Sequence, residues 1–145
     1  MATFYSREMT GVIDGTVNPA KKADGRVVGA KERFIRATFD MASQPSGSFL
    51  AIGRRPAGSA FLGLTLNTDT SLGSATVSAG SVASPARDKA AATLTATDTP
   101  TGFAKASSIA AAPITADEII GLTTGGAALP SSGILTVIYR YSTST

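Results

Sequence analysis

The first candidates for chemistry are acidic residues in the second part of the chain. They are Asp69, Asp88, Asp98, Asp117 and Glu118. Several carboxylate oxygens together can hold Ca²⁺, and a spaced carboxylate pair can hydrolyse a glycoside. No loop of the D-x-D-x-D-G type is present and no pair stands out. Asp69 and Asp98 each precede a threonine in a turn-like segment, where an Asx turn accounts for the aspartate. We therefore expect turn capping there, and no metal and no cofactor.

The missing residue types exclude most other site chemistry. The chain contains no His, Cys or Trp. This excludes triads built on Ser–His or Cys–His, zinc sites with Cys ligands and disulfides. Gly125-Gly126 lacks the Lys and Ser/Thr of a phosphate-binding loop. We therefore expect that the chain is not an enzyme.

Arginines and two N-terminal aromatics are the candidates for binding a partner. Arg54-Arg55 follows an apolar run, and Arg33 and Arg36 are close in sequence, so the four could form a basic edge. Arginine presents a planar fork that suits carboxylates of another protein, although solvated charges at strand ends are the simpler interpretation. The full set predicted to bind a partner is Phe4, Tyr5, Arg7, Arg33, Arg36, Arg54 and Arg55.

The overall composition favours a β-protein that packs against neighbours. Ala, Gly, Ser and Thr make up about half of the chain, and only 16% of residues are charged. A surface with so little charge is a poor way to stay soluble alone. The net charge of +3 is small and scattered, so we expect no nucleic-acid partner. We also expect no membrane partner, because no long apolar run exists. A secretory signal is likewise not expected.

The hydrophobic pattern divides the chain in two. Residues 1–32 show neither the 3.6-residue period of a helix nor the two-residue alternation of a strand. They are predicted to form an extended arm, which either packs on its own domain or docks on a neighbouring subunit. Residues 33–145 show alternation in short runs separated by turn signals, which is typical of a β-sandwich or barrel. About eight short antiparallel strands are predicted, and a two-sheet jelly roll is the favoured arrangement. Phe103–Ile109 is a weaker strand candidate, and the Ala-rich Lys89–Ala92 and Ser108–Ala112 could be short helices.

Several segments, in this order, resemble small structural proteins of tailed bacteriophages. The segments are Phe49–Gly58, Leu72–Val77, Ser84–Ala92, Thr97–Pro100 and Thr124–Pro130. The resemblance covers about residues 33–142 and leaves the N-terminal arm outside.

The resemblance implies a virion component similar to head decoration (cement) proteins, which have a β-sandwich or jelly-roll fold. The implied partners are the major capsid protein and neighbouring copies of the chain, as a homo-oligomer on the capsid surface after synthesis in the host cytoplasm. Two alternatives stay open. One is a tail, neck or fibre-attachment component, and the other is a carbohydrate- or receptor-binding β-sandwich module.

Overall fold

The described part of the chain forms eight β-strands and one short helix. The structure, a computed structural model, describes Lys22 and residues 29–143. The strands are β1 (Lys31–Asp40), β2 (Phe49–Arg55), β3 (Ala60–Thr68), β4 (Thr76–Ser81), β5 (Lys89–Thr93), β6 (Thr101–Phe103), β7 (Glu118–Gly125) and β8 (Ile134–Thr143), and the helix is α1 (Ala106–Ile109). All strand pairs are antiparallel. The prediction of an all-β chain with about eight antiparallel strands is confirmed.

The strands form two four-stranded sheets. Sheet A has the order β1-β8-β3-β6, and sheet B has the order β2-β7-β4-β5. Strand β1 pairs with β8, β2 with β7, β3 with β6, and β4 with β5, as in one long hairpin wrapped into two layers. This nested pairing of eight strands is that of a jelly roll.

Alternating side chains fill the space between the sheets. In β8, Leu135, Val137 and Tyr139 are fully buried, and Ile35 of β1 lies directly opposite Tyr139 in the register. The ring of Phe61 packs against Tyr139 with centroids 5.0 Å apart. Because side chains alternate between the two faces of a strand, every second residue of sheet A points away from this core.

The segment between β4 and β7 differs from the prediction. Phe103–Ile109 is not one strand, because β6 ends at Phe103 and α1 follows. The backbone N–H of Lys105 and the hydroxyl of Ser108 both bond to Asp88, and these bonds hold the turn of helix in place. Lys89–Ala92 is not a helix, because it pairs with β4 as the edge strand β5.

The boundary between the predicted arm and the domain lies close to the start of β1. The first strand begins at Lys31, so the last two residues assigned to the arm belong to sheet A. The rest of the arm lies outside the described residues, apart from Lys22, Gly29 and Ala30. In the described part of the chain, no helix is long and apolar enough to cross a membrane.

Candidate interaction surface

The predicted partner-binding arginines lie on β1 and β2, the neighbouring edge strands of the two sheets. Arg33 and Arg36 are exposed on β1. Arg54 is exposed on β2 and lies 3.8 Å from Asp117. Phe4, Tyr5 and Arg7 lie outside the described residues, so that their role in partner binding stays a prediction.

A close contact between β1 and β2 brings the backbones of Arg36 and Arg54 near each other. A Cβ added at Gly53 would lie 3.2 Å from Cδ1 of Ile35, so the two strands touch at this point. Arg36 and Arg54 are the chain neighbours of the two contacting residues. The structure therefore places their backbones close together at this edge of the sandwich. Arg36 points outward from sheet A and Arg54 from sheet B, so a shared basic edge stays a prediction.

Arg55 does not belong to that edge. Its side chain is only 3% exposed, because successive residues of a strand face opposite ways and Arg55 faces the interior. Its Nε and Nη2 donate to the hydroxyl and carbonyl oxygens of Ser59, at 3.0 and 2.9 Å. The prediction that Arg55 contacts a partner at the surface is therefore wrong for the chain as it folds here.

Arg55 belongs instead to a buried polar cluster around Asp88, which we call the Asp88 cluster. Its members are Arg55, Arg87, Asp88, Ser108, Glu118 and Tyr139. The cluster joins elements of both sheets, because Tyr139 lies on β8 of sheet A and Glu118 on β7 of sheet B. It therefore ties the two layers together at one end of the sandwich.

Asp88 has no exposed surface, and both of its oxygens are fully hydrogen-bonded. Oδ1 accepts from Nε of Arg87 at 2.9 Å and from the hydroxyl of Ser108 at 2.5 Å. Oδ2 accepts from Nη2 of Arg87 at 3.0 Å and from the hydroxyl of Tyr139 at 2.8 Å. Arg87 also forms a bidentate pair with Glu118, at 2.8 and 2.6 Å. Such fork-to-fork pairs fix geometry as well as charge.

These contacts shift the pKa values of the cluster. Burial by itself raises the pKa of Asp88, but hydrogen bonds from Arg87, Ser108 and Tyr139 outweigh it and leave that pKa below its ordinary value. Burial, reinforced by the charge of Asp88, raises the pKa of Tyr139. Hydrogen bonds to Asp88 and Glu118 raise the pKa of Arg87. Asp88 therefore stays ionised and Tyr139 neutral at ordinary pH.

The charged groups of the Asp88 cluster bond mainly to one another. A shallow depression beside it is lined by both arginines, Ser108 and the alanines after α1. Arg87 already uses Nε, Nη1 and Nη2 on the carboxylates of Asp88 and Glu118. Four of the five N–H groups of Arg87 are thus used within the cluster.

Asp69 and Asp98, which were considered for calcium, lie at bends of the chain, but Asp69 bonds to the start of β8 instead of capping its own turn. Oδ1 of Asp69 accepts from the backbone N–H of Ile134 at 2.8 Å and from the hydroxyl of Thr70 at 3.0 Å. Asp98 occupies a turn with φ of 51°, a conformation that aspartate tolerates better than most residues. Among the described residues, no group of three or more acidic side chains could hold a metal ion.

The described residues leave much of the outer face of sheet A uncovered, and along one row its side chains become smaller from one edge to the other. One row crosses all four strands and consists of Arg36, Ile138, Thr65 and Gly102. The next row begins with Phe34, which is 68% exposed, opposite Arg140. A Cβ added at Gly102 would meet nothing within 4 Å. A mixed apolar and basic surface on a flat sheet suits a protein partner, since aromatic and arginine side chains dominate interface energetics.

The middle of the outer face of sheet B is covered by the chain itself, although Ile119 on the same face is 49% exposed. A Cβ at Gly80 would collide with the carbonyl oxygen of Ser84, in the loop that follows β4. A Cβ at Gly121 would lie 2.6 Å from the ring of Phe49. Strand β4 is consequently buried on both faces along most of its length. On sheet A, by contrast, both Phe34 and Gly102 are exposed among the described residues.

Sequence reasoning found only part of this surface. It identified Arg36 but assigned no role to Phe34 or Ile138. Both belong to the outward-facing set of their strands. An aromatic at a position that should face water was the available signal.

Comparisons with known proteins show the fold. The chain matches no family model and no curated protein at a significant level of sequence similarity. It does match solved structures. A chain in the capsid of Ralstonia phage GP4 aligns with a TM-score of 0.63 and 14% identity, over 79% of this chain and 86% of that one. A chain in the capsid asymmetric unit of cyanophage Pam1 aligns with a TM-score of 0.63 and 18% identity, over 91% of this chain and 99% of that one.

A third similar chain belongs to the acid-stable capsid of Helicobacter pylori bacteriophage KHP30. It aligns with a TM-score of 0.54 and 13% identity, over 79% of this chain and 89% of that one. The chain therefore has the fold of chains found in phage capsids. The high coverage in both directions means that the likeness spans nearly whole chains of similar length, not one domain of a much larger protein.

Proposed function

We propose that this chain is a structural protein of a phage virion, and specifically a decoration protein that binds the outer surface of the head. The observation that carries the proposal is the likeness to a Pam1 capsid chain over 91% of this chain and 99% of that one. The resemblance noted in the sequence supports the same role independently.

The outer face of sheet A supplies the binding surface in this proposal. It carries exposed Phe34, together with Ile138 and two arginines, on a four-stranded sheet whose other side is the core. Many weak contacts of this kind, repeated over a lattice, give high total affinity. The predicted arm, with Phe4, Tyr5 and Arg7, would add contacts with the major capsid protein or with neighbouring copies.

Copy number in purified particles tests the proposal. Quantitative mass spectrometry should give about one copy per capsid subunit, or one per few subunits. A few dozen copies per particle or fewer would place the chain in the neck, tail or fibre. Its absence from particles would overturn the virion role and favour a carbohydrate- or receptor-binding module.

A matched pair of variants tests the face. Ile138→Lys changes the outer face of sheet A, and Ile119→Lys makes the same change on sheet B, where Ile119 is 49% exposed. We expect Ile138→Lys to weaken binding to heads at least about tenfold and Ile119→Lys to leave it unchanged, since a charge buried without a partner is costly. Unfolding midpoints control for stability. Equal binding by both variants would exclude the face of sheet A.

A further inference from the structure

The free edge of β1 is the longest strand edge that the described residues leave unpaired. Strand β1 has ten residues, whereas the other edge strands β2, β5 and β6 have seven, five and three. Within residues 29–143, it pairs only with β8, on one side. An exposed strand edge of this length is a template for pairing with another chain.

The charges along β1 are arranged so that only some pairings with a second copy are favourable. Its outward side chains are Glu32, Phe34, Arg36, Thr38 and Asp40. An antiparallel pair of β1 strands centred on Arg36 would use the whole strand. It would also place Arg36 opposite Arg36 and Glu32 opposite Asp40, and like charges directly opposite are destabilising.

Centring the pair on Phe34 removes both conflicts. Arg36 then lies opposite Glu32 of the second copy, twice by symmetry, and the two Phe34 rings meet at the centre. Opposite charges and aromatic pairs across strands are both stabilising. We infer that the chain forms a symmetric dimer in which two β1 strands pair antiparallel, centred on Phe34.

This register determines how the two copies face. Directly opposed residues of an antiparallel pair point to the same side of a sheet. Outward residues of one copy are paired with outward residues of the other, so that the two A sheets join into one eight-stranded sheet. Both outer faces then lie on the same side. The dimer does not depend on the proposed role in a capsid, but it would double the face that such a role uses.

Disulfide trapping tests the register without interference, because the chain has no cysteine. The full chain carrying Phe34→Cys should form a covalent dimer under mild oxidation, since opposed residues have Cα atoms about 4.5–5.5 Å apart, within disulfide range. Arg36→Cys and Thr38→Cys, on the same face of β1, should not form one. Trapping at Arg36→Cys instead would overturn the register. Equal trapping at all three positions, or none at any, would overturn the dimer.

Charge reversal tests the ion pairs in the wild-type association. Analytical ultracentrifugation of the full chain should show dimers. Arg36→Glu or Glu32→Arg should each weaken dimerisation at least about tenfold, because like charges then face each other. The double variant should recover most of the affinity. Both positions are exposed, so folding is not at risk, although Glu32→Arg also removes the ion pair with Arg140 at 3.5 Å.

Two results would overturn the inference from charge reversal. One is a double variant no better than the single ones. The other is protection of Phe34→Cys from a thiol reagent in monomers, which would show that residues 1–28 of the same chain cover the edge. Binding to particles is measured separately, so failure of the dimer and failure of the capsid role are distinguishable.

Discussion

The two sheets of this sandwich share a core but differ on their outer faces. The chain itself covers the middle of the outer face of sheet B, because the loop after β4 lies on Gly80 and the ring of Phe49 lies on Gly121. Sheet A presents a row from Arg36 to Gly102 that nothing in the described chain covers. The described residues therefore cover more of one outer face than of the other. Glycine has opposite roles in the two layers, since it is sterically required on sheet B but not at Gly102.

The largest expected effect comes from the Asp88 cluster that joins the two layers. Asp88→Asn should lower the free energy of unfolding by about 3–5 kcal/mol, because it breaks a buried, fully bonded ion pair. Asp117→Asn, in an exposed pair with Arg54, should cost less than about 1 kcal/mol. Urea unfolding measures both. Similar costs for the two variants would mean that the cluster does not hold the layers together.

A pair of alanine substitutions compares the glycines of the two faces directly. Gly80→Ala should destabilise by about 1–3 kcal/mol or more, since overpacking forces the backbone to move. Gly102→Ala should be neutral or slightly stabilising, because its Cβ meets nothing and glycine weakens a strand. The measurement is the urea midpoint of each variant. A costly Gly102→Ala would show that sheet A is covered too.

Truncating one phenylalanine on each sheet compares the two outer faces again, with smaller expected changes in stability. Phe49→Ala should cost about 2 kcal/mol, because its ring packs over Gly121 and the loss leaves a gap. Phe34→Ala should cost less than about 0.5 kcal/mol at concentrations where the chain is monomeric, as for other surface substitutions. Thermal unfolding of both variants measures the difference. Equal costs would contradict the description of sheet A as open.

The smallest expected effect is the contribution of Asp88 to the pH dependence of stability in acid. The pKa of Asp88 is held below its ordinary value of 3.8 in the folded chain. The unfolded chain therefore takes up a proton at higher pH than the folded chain does. This contribution to stability is complete above about pH 5 and is lost as the pH falls through the folded pKa. Unfolding midpoints measured downward from about pH 6 should show a smaller acid loss in Asp88→Asn than in the wild type, and parallel profiles would contradict this origin.

Local patterns predicted the strands but not the way in which polar groups meet. Alternation in β1, β3 and β8 is readable because one face of each strand is buried. The Asp88 cluster escaped prediction because Arg55, Arg87 and Glu118 are far apart in sequence and only the nested topology brings them together. One signal was available, since Arg87-Asp88-Lys89 is a run of three charges in a chain with few. Asp88 and Lys89 are buried and Arg87 is partly buried. Lys89 lies over the ring of Phe103, 4.1 Å from its centroid.

The exposed arginines were predicted only in part, because the sequence does not show the bulges and loops that decide which residues are exposed. Strand parity places Arg36 outside and Arg55 inside, but parity depends on the bulge at Ala51–Gly53, which the sequence did not reveal. An interface also depends on which face the chain's own loops cover. The loop over Gly80 is a tertiary feature that no local pattern contains.

The nested pairing of the strands also sets the order in which the protein can fold. Strand β8 lies between β1 and β3. Sheet A therefore cannot assemble until β8, the last of the described strands, has left the ribosome. β4 and β5 are close in sequence and can pair early, whereas β1 must wait for a partner about a hundred residues away. Such distant pairings slow folding to about milliseconds or seconds. During that interval both edges of β1 are open, and a nascent chain is most exposed to aggregation along the strand that we infer to join two finished molecules.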